Sequence, residues 1–526
     1  MNSPLLYCHT LRYLKPGQIR HQLLDRFRKC GVDARPAPPC RGVSAKRAFA
    51  AMPVSYLGDW RFRFLNTEHR LESPGDWERR DWNPLWVFNL HYFDHLRQPG
   101  LSEADGNATI ARWIAENPPP DGNAYDPYTS ALRISNWIKW HCAGHRLVPE
   151  ALDSLALQSR LLERRLEYRL LANHLLANAK GLTVAGWFFS GAEAEKWLKK
   201  GLDIYREQLP EQILADGGHF ERSVMYHCII LEDLLDLCNF GVPMDLSPWI
   251  AKMLDFLAAA TAPDGGIVRF NDAAEGIALS PEELFRYAER LGFARPAVPT
   301  GSVDLPVSGY ARLRKGDWTL FCDGAPIGPD YQPGHAHADT LTFELWHRDR
   351  RLVTDLGTGI YVDSPLRREQ RSTAGHNTVC VDGADSSQVW GAHRVGKRAK
   401  IVFREFGDDR FTAAHNGYAP VIHRRSWRLA DSGVEIEDEL SGRGFHEAAL
   451  RFHFAPDSKL EMRNGGIAVR DRDMEFLLEL PENGVTALSE SNCSPEFGRV
   501  IPSPTVCFTV REKLPVKIKS KISALS

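Results

Sequence analysis

No two of the ten cysteines form a C-x-x-C pair, and they are scattered from Cys8 to Cys507. That excludes a disulfide-dense scaffold and a four-cysteine metal knot, and fits free thiols in a reducing compartment. No apolar run approaches the roughly 20 residues of a membrane span. The opening "MNSPLLYCHTLRYLKPGQIR" turns polar after a short apolar stretch and lacks the hydrophobic region of a signal peptide. These absences predict cytoplasmic placement and no transmembrane segment, with a periplasmic location only through another export route. Charge of one sign is missing too. The formal net charge is -2 and no basic domain stands out, which excludes nucleic acid as a partner. Repeats of fixed period and low-complexity segments are also absent.

What is present is 526 residues, more than one core holds, with 43% hydrophobic and 25% charged residues. Fourteen tryptophans suit sugar stacking and suit a large core equally well. From about residue 100 to 295 apolar residues recur at helical spacing, as in "LDSLALQSRLLERRLEYRLLANHLLANAKGL". Ser280-Pro281-Glu282-Glu283 reads as a helix start, with Pro in the first turn and acids beside it. The stretch 293–309, "FARPAVPTGSVDLPVSG", breaks that period and reads as a linker. Beyond it the period is two, with hairpins at "YARLRKGDWTLFCDG", "LTFELWHRDRRLVTDLG" and "SWRLADSGVEIEDEL". The expectation is an N-terminal segment over 1–100 packed on an all-α domain over 101–297, then an antiparallel β-sandwich over 306–526. Ile19, Leu23, Leu24 and Phe27, flanked by Arg20, Arg26 and Arg28, form a basic amphipathic patch. It suits a membrane surface, and better suits a first helix packed on its neighbours.

Within "GHAHADTLTFEL" (334–345), His335, His337 and Asp339 are spaced by two, so on a strand all three share one face. Burying three such groups costs several kcal/mol unless they meet partners. H-x-H also marks metal hydrolases on (β/α)8 barrels, but here helices and strands are segregated, which excludes that fold. Three further polar clusters stand out: Asn173 and His174; "DGGHFERSVMYH", with Glu221, Arg222, Tyr226 and His227; and "LRREQRSTAGHN", with Arg367, Arg368, Arg371, His376 and Asn377. Singly, each has a structural explanation as a helix cross-link, a half-buried pair or a solvated loop. Together they hold what abstraction of a uronate C5 proton needs: a donor neutralising the carboxylate, a base, and an acid for the leaving oxygen. A tyrosine with a lowered pKa could serve as both base and acid, and arginines suit a cleft for an anionic polymer.

These residues sit in stretches that resemble the heparinase II/III-like polysaccharide lyases: "DWNPLWVFNLHYFDHL", "PYTSALRISNWIKW", "NHLLANAKGL", "DGGHFERSVMYH", "RFNDAAEG", "HAHADTLTFEL", "DLGTGIY" and "RSTAGHNTVCVDG". The resemblance implies an incomplete (α/α) toroid followed by antiparallel β-sheets. It also implies a lyase that cleaves a uronic-acid-containing, anionic polysaccharide by β-elimination. Carried over by position, it implies Tyr226 as base and acid, His335 beside the scissile bond and Asn173 at the carboxylate. His174, Arg222, His227, Arg371 and Asn377 are then expected to bind substrate. One structural zinc is implied at His337, Asp355 and His376, with His393 as the competing third ligand, and no organic cofactor. Ala177 departs from the glutamate that relatives often carry there. The opening "LRYLKPGQIRHQLLDRF" resembles members associated with bacterial surface-polysaccharide synthesis. Two alternatives stand beside the lyase: a uronyl C5-epimerase on the same scaffold, and a non-catalytic carbohydrate-binding protein of polysaccharide synthesis.

Overall fold

The computed structural model describes residues 4–28, 30–42 and 44–525. Its first half is helical, and several helices begin where a side chain caps them. Asn83 accepts the amide of Leu85 ahead of Pro84–Tyr92, and Asp126 does the same for Tyr128 ahead of Pro127–Cys142. Ser280 and Glu283 form the reciprocal capping box expected at Pro281–Arg290. Ala172–Phe188 is the central helix, buried along its length except at His174. It interlocks with Ala192–Gln212 through glycines. A Cβ on Gly186 would lie 2.3 Å from the Leu198 amide nitrogen, and one on Gly201 would lie 2.2 Å from Thr183 Oγ1. Among the described residues no helix is long and apolar enough to cross a membrane.

The second half is built of antiparallel sheets, as expected. Five strands run in the order Val303–Leu305, Tyr310–Lys315, Trp318–Asp323, Phe343–His347, Arg350–Val353. Their two faces serve different cores. Tyr310, Phe321 and Trp346 join the core of the helical half, while Ala311, Leu313, Leu320 and Leu345 join that of the β half. This explains why Trp318–Asp323 is buried at every position rather than alternately. An eight-stranded sheet, from Ile401–Phe406 to Lys459–Arg463, and a four-stranded one, from Val485–Cys493 to Val379–Val381, complete the β half.

Two expectations change. The H-x-H-x-D segment is not a strand: the strand begins at Phe343, and residues 335–342 are irregular. The amide of His337 donates to Asn271 Oδ1, that of Ala338 to Arg371 O, and Leu341 has φ 68. With these amides taken by loops and a side chain, period-two alternation does not apply: His335 and His337 both reach Asp272, while Asp339 accepts the Asn271 amide. The amphipathic Pro16–Phe27 helix, expected to pack on its neighbours, buries only Gln18.

Inside the β half, Arg425 reaches Asp438 through two nitrogens, at 2.7 and 2.9 Å. It also donates to the carbonyls of Leu341 (2.8 Å) and Asn377 (2.5 Å), so it braces both loops that carry the polar clusters. Both charges are fully buried. Removing one partner leaves the other uncompensated, and Arg425→Met is therefore expected to lower the unfolding free energy by about 3–5 kcal/mol. Denaturant titration reads this directly, and a loss below about 1 kcal/mol would show that the brace is dispensable.

Candidate functional site

Asp272 lies on the loop after Ser247–Ala260, fully buried, and four groups converge on it. Arg367 grips both carboxylate oxygens, His335 Nδ1 stands at 3.0 Å, His337 Nε2 at 2.8 Å and Thr358 Oγ1 at 3.2 Å. Burial alone would raise the Asp272 pKa, but the Arg367 charge and the two imidazole N–H groups hold it well below the carboxylate range. A carboxylate only accepts, so His335 donates from Nδ1 and its Nε2 lone pair is left facing outward. Asn271, at φ 59, fixes the loop: it accepts from the His337 amide and donates its own amide to Asp339 Oδ2 (3.1 Å).

Around that Nε2 the sequence-predicted trio comes together. The Tyr226 ring stacks on His335 with centroids 3.9 Å apart, and Asn173 Nδ2 lies 3.5 Å from His335 Nε2. Tyr226 is placed by the first turn of Val224–Phe240, whose cap Ser223 accepts the Tyr226 amide and donates to Asp272 O (2.6 Å). Asn173 opens the central helix just after Leu171 (φ 65) and Ala172 (φ 51). Two non-glycine residues in the left-handed region cost on the order of 1–3 kcal/mol each, strain typical of functional sites. Glu221 holds the result in place, accepting from both the amide (3.0 Å) and Nδ2 (2.9 Å) of Asn173. Tyr361 Oη, 3.1 Å from Tyr226 Oη, completes the wall.

The phenol does not behave as expected. Burial first, then the neighbouring Tyr361, push the Tyr226 pKa well above 10, so the hydroxyl is a proton donor rather than a ready phenolate. Asp272 and Tyr361 had no assigned role in the sequence reading. Asp272 stands inside the quoted "RFNDAAEG", yet nothing local distinguishes it from a loop aspartate.

Asn173, His174, Tyr226, His335, Tyr361 and His393 all line one cleft of about 1030 Å³ between the helical and β halves. His174 Nδ1 is 3.1 Å from Glu167 Oε1. Burial works against its charged form, but Glu167, with Asp126 and Glu221 behind it, overrides burial and raises its pKa. His393 also faces this cleft, its ring 5.2 Å from Tyr361, rather than the proposed metal trio.

Four expected substrate contacts are scaffold instead. Arg222 donates to the carbonyls of Ser308 and Phe220, and buried His227 pairs with Met253 O (3.0 Å). Arg371 clamps the carbonyls of Ala336, Gly391 and Arg394, and Asn377 ties Phe343 O and Thr354 O to the His453 amide. None of the four lines the cleft. Each satisfies backbone groups that irregular loops leave without ladder partners, which is why polar residues cluster there.

Among the described residues no group of three or more His, Cys, Asp or Glu stands ready to hold a metal. The implied trio is nonetheless informative. His337 Nδ1 and His376 Nε2 are buried with no partner, and their ring centroids lie 5.3 Å apart. Two imidazoles on one tetrahedral zinc, at Zn–N of about 2.0–2.1 Å, stand roughly that far apart. Asp355 instead bonds the far nitrogen of His376 at 2.7 Å. The two histidines thus fit zinc in kind and spacing, and Asp355 orients one of them.

A helical toroid followed by antiparallel sheets is also the fold of a crystal structure of heparinase III. It matches with a TM-score of 0.70 at 18% identity, covering 100% of this chain and 94% of that one. Residues 145–288 match the heparinase II/III N-terminus and residues 297–522 the heparinase II/III-like C-terminal domain. The chain belongs to the heparinase II/III-like family. A heparin-sulfate lyase of Bacteroides stercoris is 26% identical over 364 residues, 64% of this chain and 52% of that protein. The FtsZ-localized protein C of Caulobacter vibrioides is 25% identical over 326 residues, 54% of each. The chain thus spans about half the length of the curated relatives it matches.

The His174–Glu167 pair predicts a pH signature. A raised histidine pKa contributes stability that is complete below the unfolded value of about 6.5 and is lost as pH rises through the folded value. The stability gap between wild type and His174→Gln is therefore expected to be widest near pH 6 and to shrink toward pH 9. Denaturation midpoints across that range test it, and a constant gap would refute it.

Proposed function

We propose that the protein cleaves a uronate-containing polysaccharide by β-elimination. The observation that carries this is the convergence of Asn173, Tyr226 and His335 on one wall of the cleft. The C5 proton lies α to a carboxylate that is already negative, so removing it requires donors that take up the developing charge. The Asn173 amide is such a donor. His335 Nε2, oriented by the Nδ1–Asp272 bond, takes the C5 proton. Tyr226 Oη donates its proton to the oxygen leaving C4. The C5–H and C4–O bonds break, a C4=C5 double bond conjugated with the carboxylate forms, and no water is consumed. The raised Tyr226 pKa favours this division, in which the histidine is base and the tyrosine acid. An epimerase would return a proton to C5 and leave the chain intact, and a binding protein would do neither.

Uronate polymers incubated with the protein are expected to yield an ultraviolet-absorbing unsaturated end. Tyr226→Phe should slow its appearance roughly 10²- to 10⁴-fold, and Asn173→Ala about 10²- to 10³-fold. Deuterium uptake at C5 without cleavage would replace the lyase with the epimerase. No absorbance from a broad panel, with binding unchanged in Tyr226→Phe, would favour the binding protein.

A zinc ion on His337 and His376 forms part of this proposal. When bound it would supply a fixed positive charge that fastens the loop behind His335. Elemental analysis is expected to find about one zinc per chain, and a chelator to lower the melting temperature. Metal-free protein with unchanged melting would remove zinc from the proposal.

A further inference from the structure

The cleft has a roof that the catalytic trio does not use. Helices Pro4–Leu11 and Pro16–Phe27 lie outside both family-matched segments and span the seam between the halves. On the helical side Lys15 pairs with Glu211 (2.6 Å) and Gln18 Nε2 donates to Arg169 O (3.3 Å). On the β side Gln18 donates to Tyr331 O (3.2 Å), Trp390 Nε1 to Thr10 Oγ1 (3.1 Å), and Arg398 sits 3.6 Å from the Tyr13 ring centre. Leu11, Ile19 and Leu23 line the cleft from this roof while staying 54%, 47% and 53% exposed. Leu85, Phe88 and Ile229 line the same cleft from the toroid. Apolar side chains left wet on the inner wall of a cleft call for apolar groups on its occupant.

Charge points the same way. Of the cationic side chains lining the cleft, Arg97, Lys139 and Lys180 are locked to Asp94, Glu232, Asp233 and Asp236. Arg398 is paired with Asp330, and Arg169 lies 3.8 Å from Asp25. Only Arg26 and Arg394 line it without a carboxylate partner among the described residues. A polysulfated chain carries several anions per disaccharide and needs a matching set of free guanidinium and ammonium groups. Two suffice for a polymer whose only anion is its uronate.

Resting on the lyase reading, we infer that the occupant is an unsulfated uronate polysaccharide bearing apolar substituents such as O-acetyl groups, with the N-terminal roof as their subsite. The probes are heparosan (an unsulfated uronate polymer), chemically O-acetylated heparosan, and heparin. Each is titrated calorimetrically into the Tyr226→Phe protein, so binding is read without turnover. O-acetylated heparosan is expected to bind about four- to fifteenfold tighter than heparosan, the effect of one or two buried methyl groups, and heparin weaker than either. The neutral variant Leu23→Ser should bring the ratio of the two affinities toward one. Heparin binding tightest, equal affinity of the Tyr226→Phe protein for the acetylated and parent chains, no measurable binding of any of the three, or an undiminished ratio in Leu23→Ser would each overturn the inference. None of these outcomes bears on whether wild type forms unsaturated product, which alone decides the lyase reading.

Discussion

The structure depends on one buried carboxylate. Asp272 sits on a loop that leaves the helical half, and its partners His335, His337, Thr358 and Arg367 all come from the β half. A carboxylate in a low-dielectric interior is costly unless every lone pair is used and a cation is near. Here two nitrogens of the Arg367 guanidinium and three further donors meet that condition. The same five bonds tie the two halves together. They also fix the tautomer of His335 and hold its ring against Tyr226. Stability and the geometry of the cleft wall thus share one set of atoms.

Most charge near the site acts on the protein itself. Arg367, Arg371 and Arg425 are among the largest fully buried side chains, and each spends its donors on a carboxylate or on loop carbonyls. Lys139 and Lys180 are spent likewise on the acids of Val224–Phe240. Irregular backbone around a cleft leaves carbonyls without ladder partners, and forked or multivalent cations are well suited to collect them. The result is a cleft with few free cations, lined instead by the neutral Asn173 amide, histidines and apolar side chains.

The two histidines of H-x-H show how a small backbone change assigns roles. On a strand they would have faced the same way. Because residues 335–342 are irregular, both reach the one carboxylate of Asp272, yet His335 turns its other nitrogen to the cleft. The other nitrogen of His337 stays buried without a partner, its ring 5.3 Å from that of His376. One loop thereby presents one histidine to the cleft and keeps the other in the interior.

Much of this was legible in the chain. The change of period near residue 300 marks where helices give way to sheets, because side-chain direction repeats every 3.6 residues in one and every two in the other. The capping box at Ser280 and the hairpin at Lys315–Trp318 are set by neighbours in sequence, so local chemistry predicts them. The trio of Asn173, Tyr226 and His335 could be named because the resemblance singled them out within polar clusters that held several other candidates. Tertiary structure alone decided the rest. Arg222, His227, Arg371 and Asn377 carry the residue types of a binding site, but whether a polar group meets a ligand or a backbone carbonyl depends on what folds against it. Asp272 illustrates the converse, ordinary in sequence and central in space. Its pKa is depressed, against burial, by the charge of Arg367, 95 positions away, while that of Tyr226 is raised by burial and by Tyr361, 135 positions away. Distance along the backbone carries no record of such neighbours.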